Sequence, residues 1–236
     1  MAAPISKLKK SEILWLNNHY CKHSHRYLDH YSCFLKEVLN DPYYEKKRGE
    51  PIPLPQKTGY FDIEASNFQA NFGIMLCYCI KEADSNKIWE RCITPSEVRN
   101  PKILDKNVVK QLVKDLKHFD RICGFYSTKF DVPFVRTRAI YWGIDFPLFH
   151  EIYHTDVYYI VKRKFKLNSN RQQTAYNMLV GPSHKTHFGR DYWPRALAGD
   201  KEALKYVIEH CRIDVQELQE LHEKVDPFVG KYNTSI

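Results

Sequence analysis

The chain has 236 residues, 43% hydrophobic and 14% aromatic, which suits one large domain with a small appendage. No apolar run approaches the roughly 18–20 residues of a membrane-spanning helix, and "MAAPISKLKKSEILW" lacks the apolar region of a secretory signal. A formal charge of +8, from 36 Lys+Arg against 28 Asp+Glu, favours a polyanionic partner, and seven irregularly spaced cysteines argue against a disulfide framework and for a reducing cytoplasm.

In chain order, residues 1–48 form a segment rich in Lys, His and Tyr, with a helical opening at Leu8–Asn18. Within it, "HYCKHSHRYLDHYSC" holds Cys21, His23, His25, His30 and Cys33. Thiolates and imidazoles at this density suit a tetrahedral Zn²⁺ that four of the five would fill, the alternative being a histidine-rich surface arm. "KKRGEPIPLPQK" is proline-rich, so residues 49–57 read as an extended linker. A larger domain is then expected over 58–228, with a tail at 229–236.

That domain opens with Gly59–Glu64, followed by 71–82 and 87–93, three runs that predict an antiparallel meander. Apolar residues at 109, 112, 113, 116 and 119 predict a helix over 107–120. A short buried strand is expected at 121–127, and a helix over 131–143 with Asp131 as its N-cap. Residues 151–161 read as a β-like run passing into a basic stretch with Lys162, Arg163 and Lys164. Basic residues among aromatics suit a single nucleic-acid strand, or else a solvated helix face. "KTHFGRDYWPRALAGD" reads as a loop, and 199–225 as a long amphipathic helix. The order predicts an α/β fold: a mixed sheet, antiparallel strands first and parallel ones after, flanked by helices.

The acids carry the chemistry. Asp62 and Glu64 interrupt an otherwise apolar strand two residues apart, so both point to one face. Asp131 stands where a strand turns into a helix. Asp214 lies on the inner stripe of the last helix, with His210 four residues before it. Four such carboxylates repel one another unless divalent cations neutralise them, and all-oxygen donors suit Mg²⁺ or Mn²⁺.

"FDIEAS", "GFYSTKFDVPF" and "VIEHCRIDV" together resemble the three motifs of DEDD-superfamily exonucleases, as found in proofreading exonuclease domains and the YprB-like group. The resemblance covers about residues 58–225. It implies a ribonuclease H-like fold and a 3′→5′ exonuclease that uses two Mg²⁺ or Mn²⁺ ions on the 3′ end of a nucleic-acid strand. It also implies that Asp62, Glu64, Asp131 and Asp214 are metal ligands. His210 is then the general base or a packing residue; the sequence has a histidine at a spacing where one branch of the family has tyrosine. Ala65, Ser66, Asn67 and Phe68 match the stretch that holds the terminal nucleotide. Tyr126, beside Ser127, stands where many relatives have asparagine. A catalytically silent nucleic-acid-binding module and an endonuclease of the same fold are the alternative readings.

Overall fold

Alternation along the strand Thr58–Ala65 (β1) sets the larger part of the molecule: Phe61 and Ile63 point into an apolar layer while Tyr60, Asp62 and Glu64 point to the other face of the sheet. The computed structural model describes residues 10–21, 23–37, 57–83, 85–148, 151–185, 189 and 191–229. The expected linker up to residue 56 and the tail beyond residue 229 lie outside them. The chain divides into two compact units, Met1–Gln56 and Lys57–Ile236.

Among the described residues, the first unit has two short helices, Lys10–Asn18 (α1) and Tyr31–Glu37 (α2). Between them Tyr20 pairs antiparallel with Arg26, and Ser24 takes a left-handed φ of 64° at the tip of the turn. Among the described residues of this unit, Trp15, Leu16 and Phe34 form a buried apolar cluster, with Tyr27, Leu28 and Tyr31 against it.

In the second unit β1 is followed by Met75–Glu82 (β2) and Ile88–Cys92 (β3), a meander with Asp62 opposite Cys79 and Glu64 opposite Cys77. A one-turn helix, Pro95–Val98 (α3), carries a capping box between Thr94 and Glu97. Lys106–Leu116 (α4) leads into Arg121–Gly124 (β4), which pairs parallel to β1. Asp131–Tyr141 (α5) leads into Tyr153–Asp156 (β5), parallel to β4. The sheet order is therefore β3-β2-β1-β4-β5, the expected mixed sheet. Val157–Lys164 (α6), Gln172–Leu179 (α7), Tyr192–Leu197 (α8) and the 25-residue Lys201–Val225 (α9) complete the unit, with Asp200 capping α9. None of these helices is long and apolar enough to cross a membrane.

Three readings of local structure need correction. Asp131 is not an N-cap: Phe130 holds that position, and Asp131 turns its carboxylate towards β1. The β-like run at 151–161 is a strand only to Asp156, because the Asp156 side chain accepts the Tyr158 N–H and starts α6 there. The stretch "KTHFGRDYWPRALAGD" contains α8 rather than loop alone, since Ala196 is buried in the core.

Helix α9 packs on β1 and β2, on the face that carries Asp62 and Glu64, while α4 packs on β2 and β3. Tyr78 on the α4 side donates its hydroxyl to Asp115, and Tyr60 on the α9 side meets His222 Nδ1 at 3.1 Å. A buried ion pair fixes one end of the sheet. Asp105, fully buried before α4, accepts from Arg138 Nε and Nη2, from the Trp142 indole and from the Met75 N–H, at 2.6–2.8 Å. Removing one partner would strand the other's charge away from water. Arg138→Met is therefore expected to lower unfolding free energy by about 3–5 kcal/mol in urea titrations; a loss below about 1 kcal/mol, the range of a surface pair, would show that the network is not desolvated.

Candidate active site

Three elements deliver the acids. β1 carries Asp62 and Glu64, the start of α5 carries Asp131, and α9 carries His210 and Asp214 one turn apart. The Asp131 carboxylate accepts the Ile63 N–H at 3.2 Å, which ties the start of α5 to the middle of β1. Cys211, on the turn between His210 and Asp214, points its thiol at the Asp62 carbonyl at 3.5 Å, so α9 seats against β1 between the two acids. Glu64, His210 and Asp214 each offer a ligand atom, all within 4.8 Å of one another. His210 Nε2 lies 3.8 Å from Asp214 Oδ2.

The electrostatics follow from that crowding. Desolvation pushes the Asp62 carboxyl well above its usual range, and the charges of Asp214, Asp131 and Glu64 push it further. Glu64 is raised for the same reasons, with Asp214 and Asp131 as its repelling neighbours. Burial raises Asp131 to about 7, against the bond from Ile63, which favours the charged form. Two groups oppose the trend at Glu64, a hydrogen bond from Trp193 and the charge of Lys185. Burial lowers the His210 pKa, although Asp214 pulls it the other way. Its imidazole is therefore neutral at pH 7 and able to take up a proton.

Two residues that sequence reasoning missed are built into the site. Lys185 forms an ion pair with Asp214 Oδ1 at 2.8 Å, with both side chains nearly buried. It lies in an irregular stretch with no periodicity, so nothing in the sequence marks it. Asp156, at the end of β5, accepts from the N–H groups of Tyr126 at 2.8 Å and Thr128 at 2.9 Å. It shapes the turn between β4 and α5 and adds to the repulsion on Asp131. The one usable signal was its position as the last polar residue of a short strand, where α/β folds place site residues.

That turn is tight. Tyr126 takes a left-handed φ of 62°, and Ser127 Oγ lies 2.8 Å from the buried His154 Nε2. A Cβ on Gly124 would sit 2.1 Å from Ser127 Oγ, so only glycine fits there. Ser127 is thus wholly buried and faces His154, whereas Tyr126 is exposed and meets Tyr158 edge-on at 4.8 Å. These two rings, with Phe125, Asn170, Arg171 and Gln172, line a cleft of about 470 Å³. Gln172 also donates to the Asp214 carbonyl at 2.9 Å, which ties the cleft to the turn of α9 that bears the acid.

The stretch after the β1 acids forms the turn into β2. Ala65 ends the strand; the Ser66 hydroxyl accepts the Ile74 N–H and the Asn67 amide oxygen accepts the Gln69 N–H. Phe68 is 84% exposed, an uncommon position for phenylalanine, and meets the Phe130 ring edge-on. Lys162, Arg163 and Lys164 form the exposed last turn of α6, where cations suit the helix dipole. The N-terminal unit separately gathers Cys21, His23, His30 and Cys33, and leaves His25 out.

The donor set can be tested against a hard divalent cation. Four carboxylates share one desolvated cleft, and the charge of Lys185 opposes the raised pKa values of Asp62 and Glu64. One ammonium does not balance four carboxylates, and oxygen donors are what Mg²⁺ or Mn²⁺ takes. The residues fit such an ion.

A family model for the RNase H superfamily matches residues 59–226. The chain belongs to the RNase H superfamily. Similar proteins share the fold over most of this length. A DNA polymerase of Methanocaldococcus jannaschii is 23% identical over 238 residues, covering 88% of this chain and 14% of the polymerase. The family B DNA polymerase of Pyrobaculum calidifontis superposes with a TM-score of 0.58 at 20% identity, over 76% of this chain and 26% of that one. The chain therefore spans a small part of either polymerase, and the likeness is one of fold. For an RNase H superfamily sheet, the acids on β1, at the β4–α5 junction and on α9 all belong to the matched region.

The raised Asp62 pKa gives a prediction with a definite sign. Its folded pKa exceeds the unfolded value near 3.8, so Asp62 costs stability as pH rises from there through the folded pKa. In chelator at pH 8, Asp62→Asn should melt no lower than wild type. Adding Mn²⁺ should raise the Tm of wild type and leave that of the variant nearly unchanged. A variant melting several degrees lower in chelator would show that Asp62 is a stabilising structural acid.

Proposed function

We propose that the chain is a metal-dependent nuclease acting as a 3′→5′ exonuclease on a nucleic-acid strand. The observation that carries this reading is the gathering of Asp62, Glu64, Asp131 and Asp214 in one desolvated cleft beside a neutral His210. Such a cluster is costly in an apo protein, and its compensation by cations is the use that best accounts for it. Mg²⁺ or Mn²⁺, when bound there, supplies charge neutralisation and Lewis acidity to phosphodiester hydrolysis.

The chain's own residues do the rest. The four carboxylates hold the cations. His210 Nε2, the ring nitrogen near Asp214, accepts the proton of the attacking water. The water oxygen forms the new bond to phosphorus, the bond to the 3′ oxygen breaks, and that oxygen takes a proton. Phe68, exposed beside the acid-bearing strand, offers a face for the terminal base, and the Tyr126–Tyr158 cleft with Arg171 offers stacking and charge to its neighbour. Lys162, Arg163 and Lys164 extend the basic track for the phosphate backbone. The positive chain and the acidic cleft are compatible, because the acids hold metal while the basic surface holds phosphate.

One observation favours a second reading. Lys185 neutralises Asp214 without any ion, as it would in a catalytically silent module that binds nucleic acid. Incubating the protein with 5′-labelled single- and double-stranded DNA and RNA, in Mg²⁺, Mn²⁺ or EDTA, separates the readings. The exonuclease yields a ladder shortened from the 3′ end, lost in EDTA and in Asp62→Ala. Internal cuts would mark an endonuclease, and retention of labelled strand with no cleavage would leave the silent module.

The base has its own test. His210→Ala should lower kcat by about 10²–10⁴-fold while Mn²⁺ still raises the Tm. Because burial lowers the His210 pKa, the acid limb of the wild-type pH–rate profile should fall below the ordinary imidazole value of 6.5. A two- to threefold loss with an unmoved profile would reduce His210 to a packing residue.

A further inference from the structure

The N-terminal unit places two thiols and two imidazoles in one arrangement. Cys21 Sγ lies 3.8 Å from His23 Nδ1 and 3.7 Å from His30 Nδ1, and Cys33 Sγ lies 3.3 Å and 3.4 Å from the same two atoms. All four ligand atoms are within 4.8 Å of one another. For a tetrahedral ion with Zn–S of about 2.3 Å and Zn–N of about 2.0–2.1 Å, sulfur and nitrogen should stand about 3.6 Å apart. The four sulfur–nitrogen edges scatter around that length. Hydrogen bonds alone do not require this, since a thiol donates one proton and each Nδ1 here faces both sulfurs.

Local backbone sets the ligands in pairs. Cys21 and His23 sit on the turn closed by Cys21 N–H to the His25 carbonyl at 2.9 Å and by Ser24 N–H to the Cys21 carbonyl at 2.8 Å. His30 directly precedes α2, and Cys33 lies one turn further on, its N–H bonded to the His30 carbonyl at 2.9 Å. One pair comes from a tight turn and the other from a helix start, with six residues between His23 and His30, which is how small zinc modules present two halves of a tetrahedron. His25 is not a fifth ligand; it packs edge-on against the His30 ring at 5.0 Å.

Among the described residues of the unit, the buried apolar side chains are Trp15, Leu16 and Phe34, with the two cysteines themselves at 4% and 6% exposure. A core of that size is one that a structural metal commonly supplements. Metal affinity would then be folding free energy.

We infer that Cys21, His23, His30 and Cys33 form a structural Zn²⁺ site, with both histidines bound through Nδ1. Four protein ligands close the coordination sphere, so the ion has no open position for substrate. The site stands apart from the carboxylate cleft in ligand chemistry, soft sulfur and nitrogen against hard oxygen, and it does not depend on the nuclease reading.

The test is metal content and spectrum on the full chain. Protein purified without chelator should carry about one tightly held zinc per chain by this four-ligand count. Asp62→Asn and His25→Ala should retain it, while Cys21→Ser and Cys33→Ser should each lose it. Cobalt exchanged into wild type should give the near-ultraviolet thiolate-to-metal band and the intense visible bands of tetrahedral coordination, which reports the ligands even if a cysteine variant fails to fold. Zinc that is lost in Asp62→Asn but kept in Cys33→Ser would overturn the assignment. So would cobalt spectra without a thiolate band, or a folded wild-type unit that takes up neither metal.

Discussion

Repulsion among carboxylates that water cannot fully screen is the constraint around which the larger unit is arranged. Asp62 and Glu64 must share a face because they are two apart on one strand, and α9 brings Asp214 over that face. Burial and the neighbouring carboxylates together raise the pKa values of Asp62 and Glu64. A fold that keeps such a cluster needs rigid elements, since a loop would swing apart. The sheet supplies that rigidity by placing β1 in its centre, paired on both edges.

The surrounding hydrogen bonds make sense as supports for that arrangement. Asp105 and Arg138 tie β2 to α5, so the helix that begins with Asp131 is held at both its first turn and its last. Asp156 and the Ser127–His154 pair hold the turn between β4 and α5, and Gly124 allows the close approach that the pair requires. Burial drives the His154 pKa down to about 4, so the ring stays neutral and keeps one nitrogen able to accept from Ser127. Beneath the acids, Cys77, Cys79 and Cys211 fill the space between β2 and α9 as small apolar groups, the thiols of Cys77 and Cys211 held protonated by burial and that of Cys79 by its hydrogen bond with Cys211 and by burial. Lys185, paired with Asp214, moderates the repulsion.

The two units solve the same problem of insufficient internal compensation in opposite ways. The larger has an extensive apolar core and spends part of its stability on a strained polar cleft. Among its described residues the smaller has a core of three large side chains, and its thiols and imidazoles gather as a candidate set of soft donors, in contrast to the oxygen donors of the larger unit.

By itself the sequence determined the elements with strong periodicity. Alternation placed β1 and its two acids, the 3.6-residue stripe placed His210 and Asp214 on the inner face of the last helix, and the order of runs implied the mixed sheet. Those features are local: spacing along a strand or helix decides which way a side chain points. Tertiary structure decided what spacing cannot reach. Asp131 gave a capping signal that the fold overrode, because its carboxylate had a better partner in the Ile63 N–H, 68 residues away. Helices α7 and α8 are short and gain their stability from packing, so their sequence carries little periodic signal. Lys185 and Asp156 act through contacts with residues about 30 positions distant. Among the five Cys and His of the N-terminal segment, only the turn at Ser24 and the start of α2 decided which four converge, since direction in space depends on backbone conformation that composition does not specify.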